Sequence, residues 1–180
     1  ALAELKAGDT VEISGYGPYL MPSVPFNHLN VTVRAAEGSR PELVFNGGAS
    51  HNAGLQLHGL DLIFQEAREG SVGYLNSSTD DSNWVISKCR IQAGMLVLSA
   101  RTKLHVNGSL VLVGIFALGG GGTTAVFDNN VIVSNSYGGF DFGYAEQWTD
   151  DVHLTLTNNT ILMAAGGVGG SRLFLFGNSG

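Results

Sequence analysis

The stretch LTLTNNTIL at residues 154–162 decides how this chain folds. Apolar residues alternate with polar ones on both sides of two adjacent asparagines, which is the pattern of a strand interrupted by a turn. Asparagine tolerates left-handed backbone angles and hydrogen-bonds its own neighbouring backbone, so the pair predicts a bend between two strands. An earlier stretch, VFDNNVIV at residues 126–133, has the same form, so the bend recurs.

The pattern returns along the chain when the sequence is aligned on this bend. The aligned segments are VRAA, LHGL, ISKC, VNGS, FDNN and LTNN, with second residues Arg34, His58, Ser87, Asn107, Asp128 and Thr157. An apolar residue precedes each of these positions. Another follows four positions later in every repeat but the first, at Leu62, Ile91, Val111, Ile132 and Ile161. Successive repeats are 20 to 29 residues apart, a period typical of solenoids.

Each repeat also contains a third apolar run. The runs are ELVF, VGYL, MLVL, IFAL, GFDF and LFLF, ending at Phe45, Leu75, Leu98, Leu118, Phe142 and Phe176. Three short strands per repeat cannot bury their apolar faces alone, but stacked repeats share one core. The sequence therefore predicts an all-β fold, a single-domain parallel β-solenoid over residues 1–180, with about six coils of three strands each. A β-sandwich is the alternative, since its short strands are also separated by turns.

The bend predicts an internal column of polar side chains. One asparagine of each pair is expected to point inward and to stack on its equivalent in the next coil. The predicted column is Asn159, Asn130, Ser109 and Cys89.

Composition limits the partners that the chain can have. The 180 residues carry a net charge of −6, which argues against nucleic acid or an anionic membrane as the main partner. No apolar run has the length of a membrane span. The one cysteine, Cys89, rules out an intrachain disulfide and a Cys-rich zinc site, and its place in a strand pattern predicts a buried thiol.

Three stretches carry a family resemblance. They are ALAELKAGDTVEISGYGPY at residues 1–19, VTVRAAEGSRPELVF at 31–45 and GLQLHGLDLIFQ at 54–65. They resemble the opening coils of right-handed parallel β-helix proteins of the pectin-lyase-like superfamily. The resemblance implies right-handed coiling, a short capping helix at residues 1–6 within an N-terminal cap and first strand at 1–20, and a secreted or periplasmic location.

The resemblance also implies carbohydrate chemistry. The superfamily includes pectate and alginate lyases, polygalacturonases, epimerases, phage tailspikes and adhesins. The G-H-G and R-I-K motifs of the hydrolases, the R-x-P-x-x-R motif of the lyases and the D-P-H-D motif of the epimerases do not occur in this sequence. The sequence therefore identifies no catalytic residue and leaves the enzyme question open, with a polysaccharide lyase or a glycoside hydrolase as the enzymatic alternatives. We expect a protein that binds or processes an acidic polysaccharide. The alternative is a non-catalytic module that self-assembles through apolar faces.

Basic residues suggest where such a polysaccharide would bind. Lys88, Arg90, Arg101 and Lys103, with His105, fall on two neighbouring coils, which lie about 4.8 Å apart. They predict a basic patch for a carboxylated or sulfated glycan, against the alternative that they are outward charges that keep the strands soluble.

The third apolar run of each repeat adds two candidate substrate-binding residues. Their outward positions are aligned as Val44, Tyr74, Val97, Ala117, Asp141 and Leu175. Of these, Tyr74 could stack on a sugar ring, and Asp141 is the one carboxylate on an otherwise apolar stripe.

Paired carboxylates suggest a cation site. Asp80 and Asp81 precede Trp84, and Asp150 and Asp151 follow Trp148. Both pairs are candidate Ca²⁺ ligands, against the alternative of solvated loop acids. We predict no other cofactor.

A second apolar column predicts self-association. Its outward members are Ile63, Gln92, Leu112, Val133 and Leu162, joined by Leu110 and Val131. Soluble monomers rarely expose a contiguous apolar surface of this kind, so we expect a homo-oligomer.

Overall fold

The structure, a computed structural model, is built from parallel β-strands and contains almost no helix. A 3-10 turn spans Pro25–His28. Half of the predicted capping helix, residues 1–3, lies outside the residues that the structure describes. The described residues are 4–23, 25–66, 73–77, 81–98, 101–119, 122–134, 138–141, 152–163 and 172–175.

One sheet has seven strands, and each pairs in parallel with the next. Numbered in chain order among β1 to β18, they are β1 (Thr10–Ile13), β3 (Val31–Ala35), β6 (Leu55–His58), β9 (Asn83–Ser87), β11 (Lys103–Asn107), β13 (Thr124–Asp128) and β16 (His153–Thr157). In β11, Leu104 and Val106 are buried while Lys103 and His105 are exposed. This alternation is that of a strand with one face on a core.

The other sheet has eleven strands that form two parallel ladders. The second ladder of the solenoid contains β2 (Tyr19–Met21), β4 (Glu42–Asn46), β7 (Asp61–Gln65), β10 (Arg90–Leu98), β12 (Leu110–Leu118), β14 (Val131–Ser134) and β17 (Thr160–Met163). The third ladder contains β5 (Ala49–His51), β8 (Tyr74–Ser77), the second halves of β10 and β12, β15 (Gly138–Asp141) and β18 (Arg172–Leu175). The nine-residue strands β10 and β12 thus run through both ladders.

This topology is that of a parallel β-solenoid and not of a sandwich. Sandwiches are built from antiparallel sheets, whereas every pair between the described strands is parallel. The predicted alignment on the bend is confirmed, because its six positions pair in register from strand to strand: Arg34, His58, Ser87, Asn107, Asp128 and Thr157.

The core lies between the ladders and is made of stacked apolar columns. The predicted inward column is confirmed as Leu62, Ile91, Val111, Ile132 and Ile161, extended by Leu43. Aromatic rings stack between coils: the centroids of Phe45 and Phe64 are 4.6 Å apart, and those of Phe116 and Phe140 are 4.8 Å apart. Such burial supplies most of the folding free energy.

The predicted polar column at the bend is confirmed. The Asn159 Oδ1 accepts from the Asn130 backbone N–H at 2.9 Å, and the Asn130 Oδ1 accepts from the Ser109 N–H at 2.9 Å. The Ser109 Oγ in turn accepts from the Cys89 N–H at 3.1 Å. The residue before each column member has a positive φ, which turns the chain: Lys88, Gly108, Asn129 and Asn158. Gly59 has a positive φ at the equivalent position of an earlier coil, before Leu60.

A second polar column, which the sequence did not predict, lies at the corner before the seven-stranded sheet. Ser82, Thr102 and Thr123 are buried there, each preceding a strand of that sheet. The Thr102 hydroxyl lies 3.1 Å from the Ser82 hydroxyl and 2.9 Å from that of Ser77. The residues before them again have positive φ, at Asp81, Arg101 and Gly122.

The predicted register of the third runs is wrong in the early coils. ELVF belongs to the second ladder, because Leu43 pairs with Leu62. Tyr74 pairs with Met95 and not with Val97, whose partner is Asn76. The apolar pattern predicts that the strand containing Tyr74 ends at Leu75. The strand, β8, continues to Ser77, because the buried Ser77 hydroxyl forms a hydrogen bond with the Thr102 hydroxyl.

The later coils of the third ladder have the predicted register. Ala117 pairs with Val97 and with Asp141, and Asp141 pairs with Leu175.

Candidate functional site

The outward face of the seven-stranded sheet, called here the polar face, carries mostly polar side chains, with valines at two positions of one column. One of its columns contains Thr10, Thr32, Gln56, Val85, His105, Val126 and Thr155. The next contains Asn83, Lys103, Thr124 and His153. Because the strands are regular, the side chains of one column are spaced by about 4.8 Å, and Val85 and Val126 flank His105 on its two sides.

Arg101, Lys103 and His105 lie at one edge of the polar face. Lys103 and His105 project from β11 in the same direction, and Arg101 occupies the turn just before this strand. The Arg101 Nε lies 3.0 Å from the Asp81 Oδ1, and both side chains are largely exposed. An exposed ion pair of this kind contributes little to stability.

Lys88 lies at the opposite edge of the polar face, and Arg90 lies beyond that corner as the first residue of β10 in the second ladder. Lys88 occupies the turn after β9, at the position that Gly108 takes in the next coil. Five residues separate Lys103 from Gly108, so the two edges are about 16 Å apart along the strand direction. The structure therefore divides the five predicted basic residues into two groups.

Tyr74 and Asp141 lie on the third ladder, away from both basic groups. The Tyr74 ring is 40% exposed and covers the Gly48 backbone, where a Cβ atom would clash with it. The Asp141 backbone is part of β15, and its side chain is outside the described structure. Tyr74 is on β8, which pairs with β10, and Asp141 is on β15, which pairs with β12. Two strands of the third ladder, β10 and β12, therefore lie between them.

Of the predicted cation ligands, Asp81 is described and Asp80, Asp150 and Asp151 are outside the described residues. The Asp81 carboxylate is engaged by Arg101. Within the described part of the chain, no three His, Cys, Asp or Glu side chains are grouped as metal ligands. The Ca²⁺ site stays a prediction.

A groove of about 500 Å³ crosses the second ladder. Its floor contains Ile63, Gln92, Leu112 and Val133, members of the predicted outward apolar column, and Gln65 and Glu66 lie at its rim. The sequence predicted the column but not its concavity. Gly94 and Gly73 also line the groove, where the burial alternation of β10 changes phase and the Gly94 N–H donates to the Gly73 carbonyl at 2.8 Å.

The Cys89 thiol is buried, as predicted. Burial raises its pKa to about 11, so it is protonated at neutral pH and is a poor nucleophile. It acts as a weak donor inside the column, with its Sγ 3.3 Å from the Ser87 carbonyl.

Comparison with known proteins adds no family assignment. No protein-family model matches this chain, and no curated protein is significantly similar to it in sequence. Among the described residues, no helix has the length and apolar character needed to cross a membrane.

Proposed function

We propose that this chain is a right-handed parallel β-helix of the pectin-lyase-like kind, with six three-stranded coils, that binds an acidic polysaccharide across its coils. The observation that carries the proposal is the placement of two cations, Arg101 and Lys103, at the start of β11, with His105 on the same exposed face of this strand. A protein with a net charge of −6 needs such a local concentration of cations to attract a polyanion.

The surroundings of these cations support a sugar ligand. Thr124, His153 and Asn83 lie in register with Lys103 and offer hydroxyl, imidazole and amide groups for sugar hydroxyls. A hexose unit is about as long as the spacing between coils, so a polysaccharide running across the strands would meet equivalent groups on each coil. Catalysis forms no part of the proposal. The acidic residues Asp80, Asp81, Asp150 and Asp151 are proposed as the place where Ca²⁺ would act, if it is required.

The test replaces the cations by the residues of the next coil. Thr124 pairs with Lys103, and Gly122 is the equivalent of Arg101, so Arg101→Gly with Lys103→Thr removes two charges and keeps residues that this fold accepts. We expect the Kd for polygalacturonate or a sulfated glycan to rise about tenfold, or about 1.4 kcal/mol. The difference from the unmodified protein should shrink at high salt, because screening weakens the same interaction. Binding is measured by biolayer interferometry with and without Ca²⁺.

The matched control is Lys6→Ala with Arg40→Ala, which removes the same charge from other parts of the surface. This control should bind as the unmodified protein does. Equal losses in both double variants would mean that only net charge matters. Absence of binding to any carboxylated or sulfated glycan would refute the proposal.

A second candidate function is self-assembly, and a specific observation favours it. Val131 and Leu162, on adjacent coils beside the groove, are 41% and 54% exposed. Together with Leu112 and Val133 they form an apolar surface, and burying a Leu or Val side chain contributes about 1.5–3 kcal/mol. A symmetric dimer that covers this surface would remove it from water.

This candidate predicts a homo-oligomer in solution. Light scattering during size-exclusion chromatography should give a mass at least twice that of the 180-residue chain. Leu112→Asp with Val133→Asp should return the protein to a monomer, because each carboxylate would have to be desolvated in the interface. Val85→Asp with Val126→Asp, on the polar face, should leave the mass unchanged. A monomeric mass at every concentration would exclude self-assembly.

A further inference from the structure

Three polar residues from successive coils share one register position where the polar face ends. Arg34 pairs in register with His58, and His58 pairs with Ser87, so Arg34 and Ser87 flank the imidazole on its two sides. The His58 Nδ1 and the Ser87 hydroxyl are hydrogen-bonded to each other. The His58 Nε2 has no hydrogen-bond partner among the described residues, and is therefore a donor or acceptor available to a ligand.

Lys88 adds a cation beside this group. It follows Ser87, adopts φ 53°, and precedes the buried Cys89, so its side chain projects outward at the corner. The equivalent positions of the neighbouring coils are Gly59 and Gly108, which have no side chains to cover it. No carboxylate of the described residues lies within 4.0 Å of the Lys88 ammonium, which leaves this charge uncompensated.

The electrostatics of the corner favour a negative ligand. Burial, followed by the charges of Arg34 and Lys88, lowers the pKa of the His58 imidazole, so both cations act on the ring. Glu12 compensates Arg34, with an Nη2 to Oε2 distance of 2.9 Å, but this pair is about half exposed. Asp128, two strands beyond Ser87, is bound by Asn107 at 3.2 Å. The charge of Lys88 therefore remains to be balanced.

We propose that Lys88, His58 and Arg34 form a binding site for an oxyanion group, such as a sulfate or a carboxylate. The ammonium of Lys88 and the Nε2–H of His58 would donate to the anion, with the remaining guanidinium donors of Arg34 beside them. This site is about 16 Å from Lys103 along the strand direction and does not depend on the proposed polysaccharide site. A bound anion favours the imidazolium, so affinity is highest below the pKa of His58 and falls as the pH rises through it.

The experiment follows the pKa of His58 by NMR of the imidazole carbon-bound protons. The probes are inorganic sulfate and galacturonate, each compared with chloride at equal ionic strength, because screening alone would also raise this pKa. We expect sulfate to raise the pKa of His58 by about one unit, the size expected for an opposite charge within hydrogen-bond range. A response to galacturonate as well would show that a sugar carboxylate can supply the oxyanion.

Two variants distinguish this site from the polysaccharide site and from nonspecific ion binding. Lys88→Asn introduces the residue that Asn129 and Asn158 provide at the same corner, so the positive φ is accepted. It should raise the pKa of His58 in the absence of sulfate and abolish most of the sulfate-dependent shift. Lys103→Thr should leave that shift intact, even if it weakens polysaccharide binding. An unchanged pKa of His58 in sulfate, or an equal shift in the Lys88→Asn variant, would overturn the proposal.

Discussion

Replacing Asn130 by leucine is expected to lower the free energy of unfolding by about 3–5 kcal/mol, because it leaves several buried polar groups unpaired at about 1–3 kcal/mol each. Asn130 is 2% exposed. Its Oδ1 accepts from the Ser109 N–H at 2.9 Å, and its Nδ2 donates to the Val106 carbonyl at 3.0 Å and to the Asn159 Oδ1 at 3.0 Å. Leucine has similar volume but satisfies none of these groups.

Urea denaturation followed by circular dichroism measures this loss. The control is Asn129→Gly, which changes the neighbouring exposed residue at φ 55° and keeps the column intact. Glycine accepts this angle, so the control should change stability by less than about 1 kcal/mol. A loss below about 1 kcal/mol for Asn130→Leu would mean that the side-chain column contributes little to folding.

Replacing Phe127 by alanine is expected to cost about 3–5 kcal/mol, through lost burial and the cavity that remains. The Phe127 side chain is fully buried, and its ring meets Phe116 edge to face at 5.1 Å and Phe140 at 5.4 Å. Phe127 belongs to the seven-stranded sheet, whereas Phe116 and Phe140 belong to the third ladder. We therefore expect the lost packing to destabilise more than one coil.

Thermal and urea unfolding both report this change. Val126→Ala is the matched control, because Val126 precedes Phe127 on the same strand but faces outward and is half-buried. It should cost about 1 kcal/mol or less. Comparable losses in the two variants would contradict the inward placement of Phe127.

The repeat and its inward column were predictable because they follow from local pattern. Alternation around Asn158 marks a strand, a turn and a strand, and the same order recurs through the chain. The third ladder was less predictable. Asn76 and Ser77 are polar and have the character of a loop, yet they continue β8, since a buried hydroxyl can be satisfied by Thr102 of the next coil. Such a partner is distant in sequence and leaves no local signal.

The candidate sites also have one part that the sequence could predict and one part that it could not. The alignment already placed Arg34, His58 and Ser87 in one column, so the signal for the oxyanion site was present in the sequence. The sequence gave no indication that Lys88 would lie beside the His58 imidazole, because this placement depends on the left-handed turn that follows β9. The concavity over Leu112 was also unpredictable, since its lining brings together residues of several strands, including Ile63, Gln92 and Val133.

The polar column at the bend has a direction along the chain. The Asn159 Oδ1 accepts from the backbone of Asn130, the Asn130 Oδ1 from that of Ser109, and the Ser109 Oγ from that of Cys89. In each case, a later coil completes the corner of the coil before it. During synthesis the N-terminal coils emerge first. Each nascent corner therefore keeps an unpaired N–H until its successor leaves the ribosome, and the column closes in the order of translation.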